Sequence, residues 1–232
     1  MPITKNAKPI KEFLPSSYKL QVEKEAQAAE ERKKLSDGPG RYLRAPKEGK
    51  NPKTGKPEAG SVEFRVISDC EFGFSLWYET EEGGKACKRW LASDLIERGI
   101  EGGDIPADEI PEKCERYDKS KKPKIVKFLS MVVYNISEDA FQIWDLDKAT
   151  MLEQFAQACA NPRFGHPTGY DFIWSRTGEL QATKHTLQAQ PPYALPADIM
   201  TRYSELDVNL KAHAAGAPMS DVLGDIEPRE EG

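Results

Sequence analysis

A mainly β fold with some α is predicted for this 232-residue chain by three features of its patterning. Short segments alternate apolar and polar residues with period two, one long segment is apolar almost throughout, and a single stretch between strands repeats apolar residues at helical spacing. The length fits one core of ordinary domain size, roughly 100–200 residues, carrying polar appendages. A hydrophobic fraction of 38%, a charged fraction of 31% and a mean hydropathy of −0.65 fit polar arms at both ends.

Residues 1–60 form a lysine-rich N-terminal arm, partly helical. Ser16 to Lys34 is rich in helix formers, with Ser16 or Ser17 available as N-cap, but Leu20 and Val22 are nearly its only apolar residues. Such a helix is solvated or packs on a partner, and Asp37-Gly-Pro-Gly40 ends it. Pro46–Gly60 reads as a mobile loop before the fold proper.

The core is expected over residues 61–195. Val62, Phe64 and Val66 alternate with Glu63 and Arg65, a half-buried strand. In the next strand Phe72, Phe74, Leu76 and Tyr78 share one side, and Gly73, Ser75 and Trp77 the other. Thr80–Gly84 is a turn, so Lys85–Leu91 returns as the second arm of a hairpin. A polar insertion, 92–120, carries a short helix over Ser93–Arg98 and the loop markers Gly102, Gly103 and Pro106. Lys124–Ile136 is the strongest strand, and its nearly continuous apolar character predicts a central position covered on both faces. Ser137–Ala140 turns it into Phe141–Leu146. Asp147 offers an N-cap for a helix over Lys148–Cys159, with Met151, Leu152, Phe155 and Cys159 on one face and Asn161-Pro162 as its stop. Tyr170, Phe172 and Trp174 mark a further strand, paired through Arg176–Gly178 with Glu179–Gln190. A C-terminal helix is expected over 196–213, followed by a flexible acidic tail, 214–232.

Short antiparallel strands with one interposed helix predict a partly open five-stranded β-barrel of the OB type with an inserted loop region. A β-sandwich and an unrelated α+β sheet are the competing architectures. Trp144, Trp174, Phe64 and Phe128 alternate with apolar neighbours and are assigned to the core.

Lys and Arg number 33 against 38 Asp and Glu, a net charge of −5, but the signs are segregated. Residues 1–56 and 113–127 are basic blocks, so an acidic average conceals a basic face. No apolar run reaches the roughly 20 residues of a membrane span, and 1–14 is too charged for a signal peptide, so a cytoplasmic protein is expected. Cys70, Cys87, Cys114 and Cys159 contain no C-x-x-C pair and His166, His185 and His213 are scattered. Reduced thiols are expected, with no metal and no cofactor. No phosphate-binding glycine loop or nucleophile elbow is present, and no carboxylate pair is oriented by its spacing, so no catalytic residue is assigned. A nuclease whose carboxylates are far apart in sequence remains an alternative, as does a non-catalytic adaptor acting through its arms.

The aromatic and basic pattern carries more. Trp77 and Tyr78 end one hairpin strand and Lys88, Arg89 and Trp90 lie on its partner, so rings and cations come together. Single-stranded nucleic acid requires that combination: aromatic faces stack bases and Lys or Arg follow the phosphates. Lys121, Lys122 and Lys124 enter the long strand beside it, with a solvated loop as the alternative reading. Arg65, Arg176 and Lys184 are weaker candidates for the same surface.

The order of elements, from Val62–Ser68 through the aromatic hairpin, Lys122–Ile136, Phe141–Leu146, the helix and Gly169–Gly178, resembles the single-stranded DNA-binding proteins of tailed phages, an OB-fold group. The likeness spans about residues 62–196. It implies a protein that coats single-stranded DNA in replication or recombination, in a host bacterial cytoplasm, with self-association along the DNA. Some relatives carry zinc in the central insertion, which here supplies only Cys114. The resemblance also implies an acidic tail that recruits replication proteins and competes with DNA, a role that falls to Asp221, Asp225, Glu227, Glu230 and Glu231; a frayed terminus is the plainer reading of the same residues.

Overall fold

The computed structural model describes residues 42–47, 49–50, 57–58, 60–117, 120–178, 183–218 and 222. All belong to one compact unit, Arg41–Gly232; the other unit, Met1–Gly40, contains the expected Ser16–Lys34 helix and lies outside the described residues.

A short antiparallel ladder joins β1 (Gly49–Lys50) and β2 (Pro57–Glu58). The main sheet contains β3 (Gly60–Val66), β4 (Glu71–Glu79), β5 (Lys85–Leu91), β6 (Val126–Asn135), β7 (Ala140–Leu146), β8 (Asp171–Thr177) and β9 (Lys184–Ala189). Four α-helices accompany it among the described residues: α1 (Ala92–Glu97), α2 (Ala149–Ala160), α3 (Ala197–Ser204) and α4 (Leu210–Ala214). The fold is therefore mainly β with some α, but the sheet has seven strands where five were expected and does not close into a barrel.

Its order is β5-β4-β6-β3-β8-β9, every pair antiparallel, with β7 on the other edge of β6. One edge of β6 is shared: β4 pairs with Val126–Ser130 and β3 with Val133–Asn135. At the break between them Ser68 completes the ladder, its Oγ accepting from the Val132 amide at 2.9 Å. Residues of β6 also pack on both faces, Met131 and Val133 in one cluster and Phe128 and Tyr134 in others, the physical reason for its apolar sequence.

The alternation of β-strand side chains divides the core between two faces. Phe64, Val66, Met131, Val133, Trp144, Phe172 and Trp174 form the main core under Met151 and Phe155 of α2. Further along the same face Phe74, Leu76 and Trp90 pack with Leu95 of α1, Ile105 and Cys114. The opposite face is covered in patches. Ile199 of α3 packs on Ile67 and Tyr134, and Ala214 of α4 on Leu91 and Phe128.

Three boundaries differ from expectation. Residues before 60 are not wholly an arm: Leu43 is buried in the main core and its amide donates to the Ile143 carbonyl at 2.9 Å. The single C-terminal helix is two: α3 ends at Ser204, and Asn209 caps α4, its Oδ1 accepting from the Ala212 amide at 3.0 Å. The segment assigned to a flexible tail contains anchors: Ala214 and Val222 are each 0% exposed, and the Val222 carbonyl accepts from the Asn209 amide at 2.8 Å. Helix α2 is capped by the Lys148 position without a side-chain bond, which leaves Asp147 exposed for another role. Among the described residues no helix is long and apolar enough to cross a membrane.

Candidate functional site

The hairpin β4–β5 has the register Phe74↔Trp90, Ser75↔Arg89, Leu76↔Lys88, Trp77↔Cys87 and Tyr78↔Ala86. Cross-strand partners share a face, so this register splits the expected aromatic and basic set in two. Trp77 and Arg89 belong to one face; Tyr78, Lys88 and Trp90 belong to the other.

The second group is structural. Trp90 is 6% exposed in the core under α1, and its Nε1–H donates to Glu109 Oε2 at 2.9 Å. Lys88 donates to the Glu109 carbonyl at 2.6 Å and lies over the Trp90 ring. Glu109 also receives Arg98, and that hydrogen bond foremost holds its carboxyl below the usual range. Tyr78 packs against the same cluster. These side chains hold the insertion onto the sheet instead of facing a ligand.

On the other face Trp77 is 47% exposed and lines a groove of about 410 Å³ with Lys85, Glu115, Lys124 and Asp147, while Ser75 and Val126 contribute from the sheet. The sequence builds it through an additional edge. Beyond Ser75, β4 no longer pairs with β6; there Cys114 bridges Tyr78, the Glu79 amide donates to the Lys113 carbonyl at 3.0 Å, and the Glu115 amide to the Trp77 carbonyl at 2.8 Å. The chain then folds into a finger: Arg116 bridges Pro123, the Tyr117 amide donates to the Lys122 carbonyl at 2.9 Å, and the Lys124 amide to the Glu115 carbonyl at 2.8 Å. Two-residue alternation puts Glu115 and Tyr117, with Lys124 and Lys122 opposite them, on the face of Trp77. Tyr117 is 48% exposed. Lys121 has φ 53° and sits exposed in the finger, its carbonyl accepting from Arg116 Nη1 at 2.9 Å.

Within the groove both lysines converge on one carboxylate. Lys85 Nζ lies 3.1 Å from Glu115 Oε1 and Lys124 Nζ 3.9 Å from Oε2. A half-buried polar lock lies on the same face, around Arg89. Asp145 accepts from Arg89 and from Ser130 Oγ, the latter at 2.7 Å, and its Oδ1 lies 3.1 Å from His213 Nε2 on α4. Burial opposes ionisation of Asp145, but hydrogen bonds from His213 and Arg89 outweigh it and hold the carboxyl down at about 2. The Arg89 guanidinium also covers the Phe128 ring at 4.8 Å. Arg89 thus lies on the expected face, but it fastens the C-terminal segment there.

The remaining candidates are elsewhere. Arg65 is 1% exposed; its Nε donates to Asp171 Oδ1 at 2.5 Å, and the Tyr193 ring lies 4.2 Å from the guanidinium carbon. Its alternation with apolar residues puts it on the nominally polar face, but Thr168 and Tyr193 cover it there. Arg176 pairs across from Gly60 and His185, and Lys184 is exposed at the start of β9, at the opposite end of the sheet order from the hairpin. The acidic residues Asp221, Asp225, Glu227, Glu230 and Glu231 lie outside the described residues. Sequence reasoning missed Lys85, Glu115, Tyr117 and Asp147. The alternation Glu115/Tyr117 beside a basic run was the available signal for Tyr117; the convergence of Lys85 and Lys124 had none, because it depends on tertiary pairing.

Among the described residues no group of three or more His, Cys, Asp or Glu side chains is arranged to hold a metal ion. Comparison with family models, with curated proteins and with solved structures finds no match to this chain.

Proposed function

We propose that the protein binds and coats single-stranded DNA, with the Trp77 groove and the finger as its contact surface. The observation that carries this reading is the placement of two half-exposed rings, Trp77 and Tyr117, on one sheet face among Lys85, Lys122 and Lys124. An exposed indole offers a π-face that any base can stack on, at about 1–3 kcal/mol per base, and ammonium groups beside it follow the phosphates. Such a surface reads no sequence. In the same reading the sheet is an enlarged, opened variant of the OB type, in which the strand lies across sheet faces and loops and not within a closed channel.

Titration of a labelled oligothymidylate with the full chain tests this. Binding is expected at low salt, falling steeply as salt rises, because each neutralised phosphate releases condensed counterions with a slope of about 0.7 per contact on single strands. Absence of binding at low salt overturns the reading, and cleavage of the oligonucleotide in magnesium would favour a nuclease instead.

A further inference from the structure

Glu115 shares a face with the two half-exposed rings, across from Trp77 and two residues along the chain from Tyr117. Lys85 of β5 and Lys124 of the finger converge on the Glu115 carboxylate at 3.1 and 3.9 Å. To an ammonium group a carboxylate and a phosphate offer the same thing, anionic oxygens at hydrogen-bonding distance. From these contacts, and resting on the reading of this groove as the single-stranded DNA site, we propose that Glu115 is an intramolecular stand-in for a DNA phosphate: it gathers Lys85 and Lys124 in the free protein and is displaced by the backbone when DNA binds.

The local structure permits the exchange. Glu115 is tied into the sheet by its backbone, whose amide donates to the Trp77 carbonyl and whose carbonyl accepts from the Lys124 amide, both at 2.8 Å. Its side chain carries none of that ladder and can swing aside without disturbing the finger. The Lys85, Lys124 and Glu115 side chains are all substantially exposed, so the ion pairs are weak enough to be traded. The displaced carboxylate still faces the incoming phosphate, which lowers affinity and favours release of the strand. Glu115 therefore sets how tightly the groove holds DNA while keeping its lysines poised.

Glu115→Gln tests this in the full chain, using anisotropy of a labelled oligothymidylate at low salt together with thermal melting. The variant is expected to keep its melting midpoint and bind about two- to fivefold more tightly, the range set by an exposed ion pair. In a Lys85→Ala/Lys124→Ala background the same substitution is expected to give a clearly smaller gain, because only the repulsion between carboxylate and phosphate remains to be relieved and no cation is freed. Equal or weaker binding by Glu115→Gln, or an equal gain in both backgrounds, overturns the stand-in role while leaving the DNA-binding reading intact. Failure of the unsubstituted protein to bind removes both.

Discussion

Trp77 and Trp90 are two strand tryptophans on opposite faces of one hairpin, and their environments assign them opposite roles. Trp77→Ala removes a half-exposed ring, so it should leave the melting midpoint nearly unchanged and weaken oligothymidylate binding by about 1–3 kcal/mol, about 5- to 150-fold. Trp90→Ala empties a buried site that also satisfies Glu109, and should cost about 3–5 kcal/mol of stability. Melting curves and titrations of the two variants separate the roles; a Trp77→Ala variant that binds as tightly as the parent counts against stacking there. Period-two alternation already puts Trp77 opposite Phe74 and Leu76, but the face of Trp90 follows from the hairpin register, Phe74↔Trp90, which is not legible in the sequence and separates rings that were expected together. Arg65 was not legible. A single strand's pattern tells which residues share a face, but not that Thr168 and Tyr193 cover the nominally polar one and that a guanidinium is buried there against Asp171.

At the level of elements, the hairpin, the long strand and α2 follow from local pattern, whereas the sharing of β6 between β3 and β4 does not, because pairing partners leave no mark in the spacing of apolar residues. The same applies to the docking of α4. Its short helix supplies Ala214 to the apolar contact and His213 to Asp145, which Arg89 also holds. Asp145 has a folded-state pKa of about 2, below its ordinary 3.8. A depressed carboxyl stabilises the fold fully above the unfolded value, and this contribution is lost as pH falls through the folded one. The linked stabilisation is about 2 kcal/mol, lost between about pH 4 and pH 2. Urea midpoints measured across that range should fall more steeply for the parent than for Asp145→Asn; identical slopes would show that the lock does not titrate with folding.

For the whole molecule, a net charge of −5 opposes binding to a polyanion, and the acid-rich C-terminal residues are a main contributor. Where the chain is cut decides what is tested. Ending it after Val222 removes Asp225, Glu227, Glu230 and Glu231 together with Arg229, which takes the net charge from −5 to −2. This truncation should tighten oligothymidylate binding at low salt, with the gain shrinking as the Debye length falls to about 10 Å near 0.1 M. Ending it at Pro218 also removes Val222, whose side chain is fully buried and whose carbonyl pairs with the amide of the Asn209 cap. That cut should cost about 2–4 kcal/mol and lower the melting midpoint by about 5–10 °C. Any change in its affinity then mixes loss of negative charge with loosening of α4 beside the groove. Only the cut after Val222 isolates charge competition, and unchanged or weaker binding by that truncation at low salt would exclude the C-terminal carboxylates as competitors for the groove.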